Sequence, residues 1–278
     1  GALREARPLT RVVVGRPATD GAGVRLTRMI GTPECDMINP FLMLDRFDSD
    51  DPAAYIAGFP DHPHRGFETV TYMIAGHMRH RDNTGAEGEL VPGGVQWMTA
   101  GRGIVHSEMP EQSEGEMRGF QLWVNLPATD KMCPPRYQNY EPADVPEVET
   151  ATGAHLRVIA GHGGGIDGPV EGIAVAPLYM DVTLSPGGHH AQAVAPGHAC
   201  FAYIFEGTAE IGGTANHTHT LAVLGDGDGV EVSSVGGGRL ILAAGRPIGE
   251  PVARYGPFVM NTRQELQQAV EDFQSGRF

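Results

Sequence analysis

Two short patterns, His62-Pro-His64 and His106-Ser-Glu108, hold the residues of this chain best suited to chemistry. On an extended strand, side chains at i and i+2 point to one face, about 6.5 Å apart along the backbone. Each pattern therefore presents two donor atoms on one side. Two such strands facing each other inside a barrel close a four-ligand metal site. Three imidazoles and one carboxylate make a mixed nitrogen and oxygen donor set, suited to Fe, Mn, Ni, Cu or Zn, and no thiolate takes part. Unless the fold blocks a face, an ion held this way keeps one or two positions open, the condition for chemistry as opposed to a purely structural role.

The elements that must position these residues are strands. Segments 25–30, 41–47, 68–74, 119–126, 156–160, 178–184, 200–205 and 240–244 are strand-like, and several alternate apolar and polar residues as half-buried antiparallel strands do. A diverged internal repeat runs through them: Tyr72-Met-Ile-Ala-Gly76 has an echo in Tyr203-Ile-Phe-Glu-Gly207, and Leu90-Val-Pro-Gly-Gly-Val95 a looser one in Gly225-Asp-Gly-Asp-Gly-Val230. Residues 134–153 are rich in proline and acidic side chains and are expected to form a linker. The fold predicted is all-β, two consecutive barrels or sandwiches, divided as residues 1–135 and 136–278. Near the end, Thr262 and Glu265 form a capping box; Leu266, Val270 and Phe273 follow along one face and Gly276 stands at the stop, which predicts one short C-terminal α-helix.

Aligning Tyr72 with Tyr203 puts Ala193, Ala195 and Ala199 opposite His62, His64 and Glu68, so the metal is expected in the first half only, one per chain. His189-His190, His198 and His217-Thr-His219 are assigned to surface loops and turns, and His77 and His80 to the loop after Gly76. Composition narrows the function classes. The 278 residues include 39 Gly and 21 Pro, a usage that suits many tight turns, and the net charge of −14 argues against direct nucleic-acid binding. The one positive cluster, Arg4, Arg7, Arg11 and Arg16, is read as a solvated N-terminal segment. Three widely spaced cysteines imply no disulfide framework. No signal peptide or membrane-length apolar run is evident, so a soluble cytoplasmic protein without membrane partners, and a monomer, is expected.

The blocks Asp61-His-Pro-His-Arg-Gly-Phe-Glu-Thr-Val-Thr71 and Pro92-Gly-Gly-Val-Gln-Trp-Met-Thr-Ala-Gly-Arg-Gly-Ile-Val-His-Ser-Glu108 closely resemble the pirin family of the cupin superfamily, and Tyr255-Gly-Pro-Phe-Val-Met-Asn-Thr262 is similar to that family's C-terminal run. The resemblance extends from about residue 8 to the last. It implies two cupin domains of jelly-roll type, with metal in the first. The general cupin pattern is met more loosely by Gly58, His62, His64, Glu68 and Gly76, and the stretch from Gly94 to His106 is longer than in most cupins, as is typical of pirins.

Which glutamate completes the ligand set is a choice between Glu108 and Glu68. The i, i+2 geometry beside His106 favours Glu108, and so does the pirin resemblance; Glu68, the ligand in most cupins, is separated from His64 by Arg65-Gly66-Phe67. Glu68 and Asp61 are then candidates to hold ligand N–H groups. Arg65 is a candidate either to hold an anionic substrate or pair with Glu108, or to join a structural ion pair. Phe67 is expected at the apolar mouth. Gln96 and Trp97 are placed on a strand whose alternate side chains enter the barrel, with Trp97 in the core. The resemblance implies quercetin 2,3-dioxygenase activity: one divalent metal, Fe(II) foremost with Cu, Mn, Ni or Zn as alternatives, and O₂ cleaving a flavonol-like or related enolic substrate with release of carbon monoxide. Glu108 would double as the catalytic base for the 3-hydroxyl proton. The alternative, from another class, is a non-catalytic iron-dependent redox sensor acting through a protein partner.

Overall fold

The computed structural model describes residues 3–278 and consists of two compact units, each an antiparallel seven-stranded sheet accompanied by a four-stranded one. One unit comprises residues 16–32, 41–142 and 248–278. Its larger sheet has the order Arg136–Tyr140, Val95–Thr99, Phe67–Ala75, Met117–Asn125, Phe41–Ser49, Val24–Ile30, Arg16–Asp20. Its smaller sheet has the order Phe59–His64, Ile104–Pro110, Met78–Asp82, Glu87–Leu90. The second unit, residues 3–15, 33–40 and 143–247 of those described, repeats this plan. Its larger sheet runs from Leu9–Val14 to Glu147–Glu149, and its smaller one has the order His189–Ala193, Gly229–Ser233, Ala209–Ile211, Thr214–Asn216. Alternation puts Leu156, Val158, Met180, Val182, Ala202, Ile204, Leu240 and Leu242 into that unit's core.

The eight predicted strands are all present, each matching its expected bounds to within two residues. The helix is Arg263–Gln274; Thr262 is its N-cap, its hydroxyl accepting from the Glu265 N–H at 3.1 Å, while the Glu265 carboxylate accepts from the Asn261 N–H at 3.2 Å.

Three expectations change. Residues 134–153 are no bare linker: Arg136–Tyr140 pairs with Val95–Thr99 and Glu147–Glu149 with Ala154–Ala160, so the segment gives an edge strand to each large sheet. Pro134, Pro135, Pro142 and Pro146 flank these two strands and lie in neither, while the acidic Glu147 and Glu149 are on the second, where an edge tolerates charge. A division at 135/136 also misses an exchange of ends. Leu9–Val14 pairs with Thr220–Leu224 in the later unit, whereas residues 248–278 belong to the earlier one. Finally, Arg7 is buried, not solvated. Its guanidinium donates to the carbonyls of His198, Gly225 and Ala195 at 2.6, 3.1 and 2.7 Å.

Candidate metal centre

Phe59–His64 is an edge strand, and this is why Pro60 and Pro63 fit there: neither can donate to a ladder, and one side of an edge needs no donors. Pro63 also disfavours the helical region for the residue before it, holding His62 extended. The neighbouring strand Ile104–Pro110 pairs His106 with His62 and Ile104 with His64. The register then shifts, so that Glu108 lies opposite Phe59, leaving an extra residue in the edge strand. There the Pro60 carbonyl accepts from His62 Nδ1 at 2.8 Å, which fixes the tautomer and leaves Nε2 as the free donor atom.

The three imidazoles converge. One nitrogen from each of His62, His64 and His106 lies within 4.8 Å of the others, and His64 Nε2 is 3.1 Å from His106 Nε2. The rings meet edge to face with centroids 4.4 to 4.9 Å apart. Burial pushes all three pKa values down, those of His64 and His106 far down, so the rings are neutral at pH 7, the form that binds metal. Glu108 Oε1 is 3.6 Å from His106 Nε2, and the carboxylate accepts from Gln121 Nε2 at 3.2 to 3.3 Å. Burial raises its pKa to about 7, against the opposing Gln121 hydrogen bond. Two lone-pair nitrogens 3.1 Å apart beside a buried carboxyl suit a shared cation, and the donor chemistry fits a divalent transition metal.

One flank of the group is aromatic. Phe67 and Trp123, from adjacent strands of the large sheet, pack on His64 with ring centroids 5.2 and 5.6 Å away, and on each other at 4.5 Å.

The other flank carries a residue that sequence reasoning misplaced. His80 is not in the loop after Gly76; it is a buried member of Met78–Asp82, opposite Glu108, and its ring stands 5.2 Å from His106. His106 Nδ1 and His80 Nδ1 are 3.4 Å apart. If His106 offers Nε2 to a metal, its proton sits on Nδ1 and is donated to His80, an acceptor weaker than a carboxylate. Burial lowers the His80 pKa to about 4, despite Asp82 nearby. The alternation Met78-Arg79-His80-Arg81, with arginine at every second position, was the available signal.

The remaining candidates go elsewhere. Glu68 pairs with Thr99 and Trp97 with Val70, while Phe67, two residues from Thr69, shares the opposite face with Met98 and Trp123. Glu68 therefore lies on the other side of the large sheet from Phe67. Trp97 Nε1–H and the Thr99 hydroxyl donate to its Oε2 at 3.0 and 2.6 Å, and burial lifts its pKa to about 7. Trp97 is in the core but faces Glu68; Gln96, opposite Thr71, is on the Phe67 face. Asp61 is exposed and alternates with His62 along the strand. Arg65 does not pair with Glu108. It is buried and bound to Asp272 Oδ2 at 2.8 Å.

The other unit departs from the sequence alignment. His190 is not a surface-loop residue: it and Gln192 are buried on the strand His189–Ala193, hydrogen-bonded to each other at 2.9 Å, and they pair with Val232 and Val230. That pairing matches the one of His62 and His64 with His106 and Ile104, so they and Val232 stand where His62, His64 and His106 stand, and Ser234, just past the strand end, follows Val232 as Glu108 follows His106. The alanine alignment slipped because 11 residues separate Gln192 from Tyr203 but only 8 separate His64 from Tyr72. One histidine of four ligands survives, and no metal site of three such donors occurs there among the described residues.

Comparison with known proteins bears on this geometry. Residues 23–124 match the family model described as Pirin, and residues 179–278 match that of the Pirin C-terminal cupin domain. A pirin-like protein of Caulobacter vibrioides is 54% identical, the match covering 98% of this chain and 99% of the relative. A protein of Pseudomonas aeruginosa provisionally named quercetin 2,3-dioxygenase is 50% identical over 97% of both. Among solved structures, a quercetin 2,3-dioxygenase from Acinetobacter baumannii superposes with a TM-score of 0.90, at 32% identity and 98% coverage of each chain.

Proposed function

This chain belongs to the pirin family of two-cupin proteins, and from that premise we propose that it is a metal-dependent dioxygenase of the quercetin 2,3-dioxygenase type, with one Fe(II) per chain held by His62, His64, His106 and Glu108. The observation that carries the reading is the convergence of three neutral imidazoles against the aromatic pair Phe67 and Trp123, with the buried Glu108 carboxyl 3.6 Å from His106. When bound, the ion supplies a Lewis acid for a substrate hydroxyl and, as iron, one-electron chemistry with O₂. The chain's residues supply the rest. Pro60 and His80 orient His62 and His106. Phe67 and Trp123 form an apolar wall suited to an aromatic ring and exclude water from that side. Glu108, whose carboxylate Gln121 steadies, would accept the 3-hydroxyl proton. Three free cysteines fit a reducing compartment, and we place the protein in the cytoplasm.

The test is O₂ uptake by iron-loaded protein given a flavonol with a free 3-hydroxyl, beside its 3-O-methyl ether and beside protein loaded with Zn(II). Uptake with the free hydroxyl, none with the ether and little with zinc is the expected result. Equal rates with zinc and iron would refute the redox role. No uptake with any flavonol would favour the regulatory alternative, in which the same site acts as a switch for a protein partner.

A further inference from the structure

The edge strand Phe59–His64 has a weak hold on its sheet. It has a single neighbour, two of its six residues are prolines without an N–H, and its register is interrupted by the bulge. Metal ligands nevertheless have to sit within tenths of an ångström of fixed positions. Something beyond the sheet must hold His64 against His106.

The turn after His64 and the turn before Ile104 lie together, the Gly66 N–H donating to the Gly101 carbonyl at 2.8 Å and Arg65 Nε to the Arg102 carbonyl. A segment nearly two hundred residues later in the chain binds both. The Arg65 N–H donates to the Pro257 carbonyl at 3.2 Å and the Val259 N–H to the Arg65 carbonyl at 3.0 Å. The Arg65 guanidinium pairs with Asp272 and lies 4.6 Å from the centre of the Phe278 ring. That ring packs on Gly103, where an added Cβ would come within 2.9 Å of it; at Gly66 an added Cβ would meet the Val259 carbonyl oxygen at 2.0 Å. The Arg-Gly that follows the two histidines is thus explained by this docking. Asn83, just past the strand of His80, donates to the Phe278 carbonyl at 2.9 Å and exchanges two hydrogen bonds with Val105. Lys131, fully buried, donates from one Nζ to the carbonyls of Gly66 and Val259 and to Asn125 Oδ1, at 2.8, 2.8 and 2.7 Å.

We propose that residues 253–278 act as a clamp that sets the spacing of the two ligand strands and so tunes metal affinity, with Arg65, Asp272 and Phe278 as positioning residues. The proposal rests on the reading of His62, His64, His106 and Glu108 as the ligand set. Neither Asp272 nor Phe278 belongs to that set, so their substitution reaches the site only through the clamp.

Cobalt(II) is the probe, read by chelator competition for affinity and by its visible ligand-field spectrum for geometry. In the double variant D272N/F278A the affinity is expected to fall about 10- to 100-fold, the range seen when groups that orient ligands are lost, with a changed spectrum. The conservative pair D272E/F278Y should recover most of both. Unfolding midpoints measured on the metal-free proteins show whether each variant is folded. The clamp is refuted if D272N/F278A keeps wild-type affinity and spectrum, or if its loss merely follows a lower midpoint and is not rescued by D272E/F278Y. Failure of the wild-type protein to bind cobalt at all would instead overturn the ligand set beneath it.

Discussion

Glu68 offers a test that separates the two glutamates by stability. It is 1% exposed, takes two hydrogen bonds on Oε2, and its pKa is raised from 4.5 to about 7, chiefly by burial. A carboxyl whose folded-state pKa lies above its unfolded value contributes its full stability below pH 4.5 and loses it as pH climbs through 7. At ~1.4 kcal/mol per pH unit, that interval is worth about 3.5 kcal/mol in all, of which a window from pH 5 to pH 8 takes in most. Substitution by glutamine keeps an acceptor for Trp97 and Thr99 but removes the titration. Its amide N–H₂ falls where Oε1 is buried without a partner, a pH-independent cost of about 1–3 kcal/mol, so the quantity to read is the slope. Urea unfolding at pH 5 and pH 8 should show wild type losing about 2.5 kcal/mol more than Glu68→Gln over that range, whether metal is present or chelated. An unchanged slope would refute the burial argument. A difference confined to metal-free protein would mean that Glu68 is itself a ligand, and the site would then follow the general cupin pattern.

Further outcomes follow from the same geometry. Replacing His80 by alanine removes the acceptor that orients His106 and should lower metal affinity about 10- to 100-fold without emptying the site, as measured by chelator competition. Glu108→Ala should weaken or empty the site and His106→Ala should remove most of the metal, whereas Glu68→Ala should leave metal bound; elemental analysis of the purified variants decides. The same measurement on wild type should give one equivalent per chain, and His190→Ala should not change it; two equivalents would contradict the assignment of the second unit.

The strands and the helix were legible because their signals are local. Alternation in 178–184 and the Thr262–Glu265 capping box need no distant partner to be read. The convergence of His62, His64 and His106 was legible for the same reason, since i, i+2 spacing fixes which side chains share a face. What stayed hidden depends on partners far away in sequence. Arg7 looked solvated because nothing nearby in the sequence announces the carbonyls of Ala195, His198 and Gly225 that it binds. Arg65 was undecided between substrate and structure until Asp272, 207 residues away, settled its partner. His80 follows a glycine turn, and the turn signal outweighed a strand of only five residues.

The second unit shows what a barrel of this kind needs from its inward-facing polar positions. Where the first unit has His62, His64, His106 and Glu108, the second has His190, Gln192, Val232 and Ser234. Each of these is content without a metal: His190 bonds to Gln192, Gln192 also donates to the carbonyl of His162 at 2.7 Å, Ser234 donates to the carbonyl of Thr208 at 2.6 Å, and Val232 joins the apolar core. The first unit's set does not close in this way. His64 Nδ1 is buried without a partner, and its Nε2 faces the Nε2 of another buried imidazole. A buried polar group left unmatched costs about 1–3 kcal/mol. The same topology can satisfy these positions internally, so the fold does not force the mismatch. That mismatch is confined to the unit whose side chains can share a cation, which is the physical reason for assigning the chemistry there.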